Sequence, residues 1–347
     1  MNILIIGGAG YIGSQTTKAI KKKGYYPIVL DNLIHGHKHL IEDILKVPLI
    51  VGQAGDKELL KNILLGNHPK LKGRTIDAII HLAAFANIGE SMEKPAKYYR
   101  NNLGETLSIL EVLIDQVKLR EEKKISPLKI PFVFSSTCAT FGVPELKDIP
   151  ISENNTQNPI NPYGRSKLMI EKILEDFHNA YEIPSISLRY FNAAGADPEC
   201  ELGEDHNPET HLIPLILDAL GDNENSIKVF GRDYPTKDGT CIRDFIHVYD
   251  LAEAHVAALE KIIKNNICDF YNLGTGKGYS VIEVIETCKE VTGLALKVDF
   301  VERRLGDPPI LIASPKKIMK ELQWRPVFSD LETIIRHAWR WYLKNSS

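Results

Sequence analysis

No apolar run in the chain approaches the roughly 18 residues that a membrane-spanning helix needs. Positive charge is not in excess either: Lys plus Arg number 42 against 45 Asp plus Glu, a formal net charge of −3 over 347 residues. That excludes the basic surface on which nucleic-acid backbone binding depends. Cysteine is scarce, with five residues at 138, 200, 241, 268 and 288 and no Cys-x-x-Cys pair. An odd number so widely spaced argues against a disulfide frame or a zinc knuckle, and for free thiols in a reducing, cytoplasmic setting. The opening Met1-Asn2-Ile3-Leu4-Ile5-Ile6 has no basic stretch ahead of its apolar run, so it reads as a strand and not as a signal peptide. Internal repeats and low-complexity segments are lacking as well. What is there is 44% apolar and 25% charged residues, the balance of a soluble globular protein with length for two domains.

Short Ile- and Val-rich runs at Asn2–Gly7, Pro27–Asp31, Pro48–Gly52, Asp77–Ala83, Ile130–Ser135 and Ser185–Tyr190 predict strands. Helical patterns near Tyr11–Lys23, Lys57–Leu65, Pro95–Lys118 and Asn161–Tyr181 alternate with them. That rhythm predicts an α/β fold, a Rossmann-type doubly wound parallel sheet, followed by a smaller C-terminal substrate-binding domain. The first domain is placed at 1–191, with 241–273 returning to it; the second takes 192–240 and 274–347. Helices are expected near Leu212–Leu220, Val248–Ile263 and Leu331–Leu343. Another starts at Ser280, where Ser280 and Glu283 have the spacing of a capping box. Arg120–Lys129 and His68–Arg74 read as polar surface insertions.

Gly7-Gly8-Ala9-Gly10-Tyr11-Ile12-Gly13-Ser14 follows the first strand and opens a helix. Glycines at 7, 10 and 13 let the chain turn tightly, let a pyrophosphate approach and let helix pack on strand, while the helix N-terminus offers N–H groups to phosphate. The spacing is G-x-x-G-x-x-G, and by itself it also fits a turn without a ligand. Asp31 narrows the choice: it ends the second strand, 18 residues after Gly13, where a carboxylate meets the adenosine ribose hydroxyls. A 2′-phosphate would face a like charge there, which favours NAD over NADP.

Tyr163 and Lys167 form a Tyr-x-x-x-Lys pair behind Asn161-Pro162, a helix start. Four residues apart on a helix puts both side chains on one face. A phenol of pKa about 10 is a poor base at neutral pH, and making it one takes about 4 kcal/mol of help to the phenolate from nearby positive charge. It can then accept a hydroxyl proton while hydride leaves the same carbon. Ser135-Ser136-Thr137-Cys138-Ala139-Thr140 closes the preceding strand with hydroxyls, one of which could bond the reacting oxygen; the rest read as local turn bonds.

Together these residues resemble the extended short-chain dehydrogenase/reductase family, and within it the UDP-glucose 4-epimerases, from Met1 to about Trp339. The resemblance includes Leu30-Asp31-Asn32-Leu33, Gly89-Glu90-Ser91, Tyr99-x-Asn101-Asn102 and Arg189-Tyr190-Phe191-Asn192. It continues through Asp238-Gly239-Thr240, Arg243-Asp244, Tyr271-Asn272-Leu273-Gly274 and Arg303-Arg304-x-Gly306-Asp307. It implies Tyr163 as base, Thr137 as the hydroxyl on sugar O4, and Lys167 on the ribose, lowering the tyrosine pKa. It implies NAD as a bound cofactor contacted by Gly7, Gly10, Tyr11, Ile12, Gly13, Asp31, Asn32, Asn101, Lys167 and Phe191. A UDP-hexose would lie on Thr137, Tyr163, Asn192, Leu212, Phe230, Arg243, Arg304 and Asp307. Arginine suits a diphosphate independently of any resemblance, through bidentate contacts. A homodimer is the expected assembly, although the sequence leaves oligomeric state open.

Some positions depart from the familiar pattern. Gln53 replaces an Asp on the adenine, Ala86 a Lys near the cofactor, Phe141 a Tyr, and His211 an Asn beside the uridine. Leu311 stands at a size gate for N-acetylated sugars, between bulky Tyr and a small residue, so other UDP-sugars stay open as substrates. A 4,6-dehydratase would need an Asp-Glu pair after the active-site Thr, where Cys138-Ala139 stands; a family decarboxylase would need a Glu in the same stretch. A non-catalytic NAD-binding regulator is the rival of another class, and intact Tyr163, Lys167 and Thr137 argue against it. No metal is expected: His35, His37 and His39 alternate in a loop without a completing carboxylate or thiol. Gly274-Thr275-Gly276-Lys277-Gly278 reads as a turn into the Ser280 helix and not as a second phosphate cradle. Cys138 reads as a small buried side chain, since no basic partner is evident to make it a nucleophile.

Overall fold

The computed structural model describes residues 1–122, 129–221, 226–304 and 307–345. These divide into two compact units. The first comprises Met1–Thr140, Asn161–Arg189 and Ala252–Tyr271; the second comprises Phe141–Ile160, Tyr190–Leu251 and Asn272–Ser347.

The first unit is built on a seven-stranded sheet of β1 (Asn2–Ile6), β2 (Tyr26–Asp31), β3 (Leu49–Val51), β4 (Ala78–His81), β5 (Phe132–Thr137), β6 (Ser185–Tyr190) and β7 (Cys268–Leu273). Their order is β7-β6-β5-β4-β1-β2-β3, the doubly wound, Rossmann-type arrangement. Pairing is parallel from β3 through β5, with Ile5 of β1 opposite Val29 on one side and Ile80 on the other. Ile3, Leu4, Ile5 and Ile6 are all buried, because helices cover both faces of a parallel sheet and leave a central strand no solvent side. The Tyr11–Lys22 and Lys57–Leu64 helices and the unbroken helical stretch 95–122 are crossovers, as the apolar periodicity predicts. The Pro162–Tyr181 helix starts where expected: the Asn161 side chain accepts the Gly164 N–H at 2.8 Å and Pro162 occupies the first turn.

In the second unit, the Leu212–Gly221, Val281–Thr292 and Leu331–Asn345 helices share one apolar core with the parallel pair Ser226–Phe230 and Lys297–Val301. Its other strands are only two or three residues long, too short to hold by ladder bonds alone. Buried carboxylates fasten them. Asp244 accepts N–H bonds from Thr275, Gly276 and Ala313, and Asp250 accepts from Val327 and Phe328 and from the Ser329 hydroxyl. The Gly274–Gly278 turn is therefore closed on the protein's own aspartate before the Ser280 capping box begins the next helix.

Boundaries differ from the sequence reading in two places. Cys241–His247 does not return to the large sheet: Ile242–Arg243 lies between Tyr279–Ser280 and Ile310–Leu311, and Phe245–His247 pairs with Asn192–Ala194. Phe141–Ile160 belongs to the second unit although it precedes the Pro162–Tyr181 helix in sequence. The His68–Arg74 insertion holds a single turn at Pro69–Leu71 with Leu71 buried. Of the Arg120–Lys129 insertion, residues 123–128 lie outside the described residues.

Candidate active site

The glycine turn has a closed side and an open one. Gly7 has φ +84°, and a Cβ there would meet the Ala83 nitrogen at 2.5 Å; a Cβ at Gly13 would meet the Gly7 carbonyl at 2.0 Å. These two glycines answer to the protein's own packing. Gly10, the residue before the Tyr11–Lys22 helix, has an ordinary φ of −80°, and the helix has no side-chain cap. A Cβ on Gly10 would approach nothing closer than the Gly7 carbonyl at 3.8 Å. The bare position leaves the helix N-terminus open to a group from outside, a geometry that could hold a pyrophosphate.

Asp31 lies against this turn at the end of β2. One carboxylate oxygen accepts the Ala9 N–H at 2.9 Å and the other the Leu33 N–H at 2.8 Å. Burial pushes its pKa up, while the two N–H bonds and the neighbouring His35 and His37 pull it down. Each oxygen keeps lone-pair capacity for a hydroxyl donor, so the site fits a ribose diol. Asn32 is bonded through its amide to Gln53 at 3.0 Å. The pair at positions 32 and 53 is thus a hydrogen-bonded one despite the Asp-to-Gln departure.

The Pro162–Tyr181 helix brings Tyr163, 7% exposed, and fully sequestered Lys167 to the end of β5. The Lys167 Nζ donates to the Ser135 carbonyl at 2.7 Å and lies 4.7 Å from the centre of the Phe134 ring. Burial pulls its pKa down to about 7, against the charge of Glu171. Thr137, the last residue of β5, is buried; its hydroxyl oxygen accepts the Ala139 N–H at 3.2 Å. Close packing of the helix start fixes this arrangement, since a Cβ on Gly164 would meet the Ala139 carbonyl at 2.5 Å.

Three residues without an assigned role in the sequence reading support the others. Asn102 accepts from the Phe85 N–H and the Asn101 amide and donates to the Phe85 carbonyl and the Ser166 hydroxyl, tying Asn101 to the Pro162–Tyr181 helix. In sequence it shows only as half of the Asn101-Asn102 doublet. Glu171, one turn beyond Lys167, takes Nε and Nη2 of Arg189 at 2.6–3.1 Å and the Ser136 hydroxyl. Nothing in the sequence joins those two charges 18 residues apart.

In the second unit, Phe191 is buried and donates its N–H to the Leu273 carbonyl, and Asn192 donates its N–H to the Asp244 carbonyl. Leu212 opens its helix. The Arg304 guanidinium sits 3.7 Å above the Phe230 ring. Arg243 donates to the Ile242 and Pro308 carbonyls and lies 3.8 Å from the Asp307 carboxylate. Arg243, Asp307 and Arg304 all act electrostatically on Cys241, so the three charges converge. Beside them Tyr234 is 5% exposed with a hydroxyl that has no hydrogen-bond partner among the described residues, a feature the sequence does not disclose. His211 is engaged with Glu204 and Glu209.

Among the described residues, no helix is long and apolar enough to cross a membrane. The UDP-glucose 4-epimerase of Halalkalibacterium halodurans is 46% identical over 99% of this chain and 96% of its own length. A crystal structure of UDP-glucose 4-epimerase from Brucella ovis in complex with NAD is 44% identical, covers 97% of each chain and superposes with a TM-score of 0.85. The UDP-Glc/GlcNAc 4-epimerase of Campylobacter jejuni is 40% identical over 99% of both chains, with a TM-score of 0.79. Residues 3–274 match the family model directly, and the chain belongs to the NAD dependent epimerase/dehydratase family.

Proposed function

We propose that the chain is an isomerase that interconverts UDP-glucose and UDP-galactose by inverting C4 through a transient 4-keto sugar. The observation that carries this reading is the Pro162–Tyr181 helix, which sets Tyr163 and Lys167 at the end of the strand that Thr137 closes. Tyr163 takes the proton of the C4 hydroxyl, and the Thr137 hydroxyl bonds the same oxygen. The Lys167 ammonium favours the phenolate. When bound, NAD would supply a hydride acceptor for C4 that gives the same hydride back, so turnover would be redox-neutral. Gly7, Gly10, Tyr11, Ile12 and Gly13 would hold its pyrophosphate; Asp31, Asn32, Asn101, Lys167 and Phe191 would hold the remainder. Asn192, Leu212, Phe230, Arg243, Arg304 and Asp307 hold the UDP-hexose, the arginines matching its diphosphate. The residues after Thr137 are Cys138 and Ala139, which supply no acid for a dehydration at C5 and C6. The cysteines among the described residues are all free thiols, which fits a cytoplasmic enzyme, and a homodimer, checked by light scattering, completes the reading.

The purified protein is expected to convert UDP-galactose to UDP-glucose with no added NAD and no growth of absorbance at 340 nm. Tyr163→Phe keeps the ring and removes the base, so kcat should fall by about a hundredfold to ten-thousandfold with NAD still bound. NADH accumulating with product, or a variant as active as the parent, overturns the assignment.

A further inference from the structure

Two groups of ligating side chains converge in the second unit: Asp197, Glu199 and Glu201 are carboxylates alone, whereas the other group mixes imidazole with carboxylate and includes His211, which the resemblance sets beside the uridine. Glu204, His206, Glu209 and His211 offer four ligand atoms that all lie within 4.8 Å of one another. The His211 Nδ1 is 2.7 Å from a Glu204 oxygen and 2.9 Å from a Glu209 oxygen. The His206 Nδ1 is 3.1 Å from Glu204 and 3.7 Å from Glu209. A tetrahedral ion with bonds of about 2.1 Å sets its ligands about 3.4 Å apart, so these four His–Glu separations already bracket the edges of such a site.

The carboxylates are fixed before any ion arrives. Glu204 and Glu209 are 6% and 12% exposed, and one Glu209 oxygen accepts the backbone N–H of Thr210 and of His211. The loop is pinned at its start, where the Trp341 indole donates to the Glu204 carbonyl at 2.9 Å and packs on Gly203. His206 and His211 are 26% and 48% exposed, so an ion can reach the cluster. Asp205 and Asp218 line the same cleft and add negative potential.

We propose that Glu204, His206, Glu209 and His211 form a binding site for a zinc-class divalent cation that ties the 204–211 loop into the head of the Leu212–Gly221 helix. Two imidazole nitrogens with two carboxylates suit Zn²⁺ or Co²⁺; Mg²⁺ and Ca²⁺ take oxygen sets, and copper(I) takes thiolates. Each imidazole would bind through the Nδ1 atom that faces the glutamates, so the proton on that nitrogen leaves it as the ion enters, and the two carboxylates then balance one divalent charge.

Co²⁺ titration of the dialysed full-length protein, read by its visible absorbance and by metal analysis after desalting, tests the site. About one equivalent is expected, displaced by Zn²⁺. His206→Gln and Glu209→Gln should each weaken it at least about tenfold, with far-UV circular dichroism unchanged. His37→Ala/His39→Ala should leave it intact. No retained Co²⁺ in the parent overturns the proposal, as does equal retention in both 206 and 209 variants, or loss only in the 37/39 variant.

Discussion

Leu311 and Arg243 stand directly opposite each other in a parallel strand pair, and Leu311 is only 8% exposed. One register line therefore carries both an arginine suited to the diphosphate and the side chain that the family resemblance sets beside the sugar C2 substituent. An acetamido group is several atoms larger than a hydroxyl. Leu fills less space than Tyr and more than Ala, and a close-packed pocket resists extra atoms by roughly 1–3 kcal/mol. UDP-glucose and UDP-galactose should be preferred, with N-acetyl substrates slower but not excluded. Leu311→Tyr should sharpen the preference and Leu311→Ala relax it. The ratio of kcat/KM for the two sugar classes across the three proteins decides; a flat ratio removes Leu311 as the gate. At the same scale, Asp31 shows what a motif leaves out. Its place after β2 is legible in sequence, but not that both of its oxygens also clamp the Ala9 and Leu33 amides.

At the scale of elements, the Pro162–Tyr181 helix does more than carry a tyrosine and a lysine. Its next turn brings Glu171 into a buried pair with Arg189, and the Glu171 charge holds the Lys167 pKa up against burial. Glu171→Gln removes that charge. The Lys167 pKa should then fall below about 7, its ammonium should be lost at lower pH, and the alkaline limb of the kcat–pH profile should move acidward. Stability should also fall by about 3–5 kcal/mol, because Arg189 is left buried beside a neutral amide. A lower melting temperature with an unmoved pH profile would make Glu171 structural and not a positioning residue. The helix and its Asn161 cap were readable from Asn-Pro and an apolar period, as were the strands that are apolar throughout. In the second unit the helices at Leu212–Gly221, Val281–Thr292 and Leu331–Asn345 were readable too, but its strands of two or three residues were not, because the segments around them rely on Asp244 and Asp250, whose partners lie 31 to 79 residues away. A mixed segment such as Cys241–His247 does not tell in sequence which sheet it joins. The Glu204–His211 cluster likewise has its ligands spaced along a loop, where no period marks them.

For the whole molecule, the proposed pyrophosphate contacts of NAD lie in the first unit and the proposed diphosphate contacts of the UDP-hexose in the second, while Thr137 and Tyr163 of the first unit would serve the sugar and Phe191 of the second would serve NAD. Each set of phosphate contacts can be disabled without touching the other. Gly10 is the position for the first, because its φ of −80° suits any residue and nothing in the protein crowds its missing Cβ. Gly10→Val should therefore fold normally yet place two methyl groups where the pyrophosphate must approach the helix N-terminus. NAD affinity should drop at least about a hundredfold, about 2.7 kcal/mol, while UDP binding measured by calorimetry stays within error of the parent. Arg243→Met is the counterpart: it removes a guanidinium that now leans on the Ile242 and Pro308 carbonyls, and should weaken UDP without releasing NAD. Gly13→Val is the contrast within the same turn, since its Cβ would strike the Gly7 carbonyl at 2.0 Å, and it should lose fold stability as well as NAD. If Gly10→Val abolishes UDP binding, or Arg243→Met empties the protein of NAD, the two sets of phosphate contacts do not separate between the units. If Gly10→Val keeps NAD at parental affinity, the open side of the turn is not where the pyrophosphate binds.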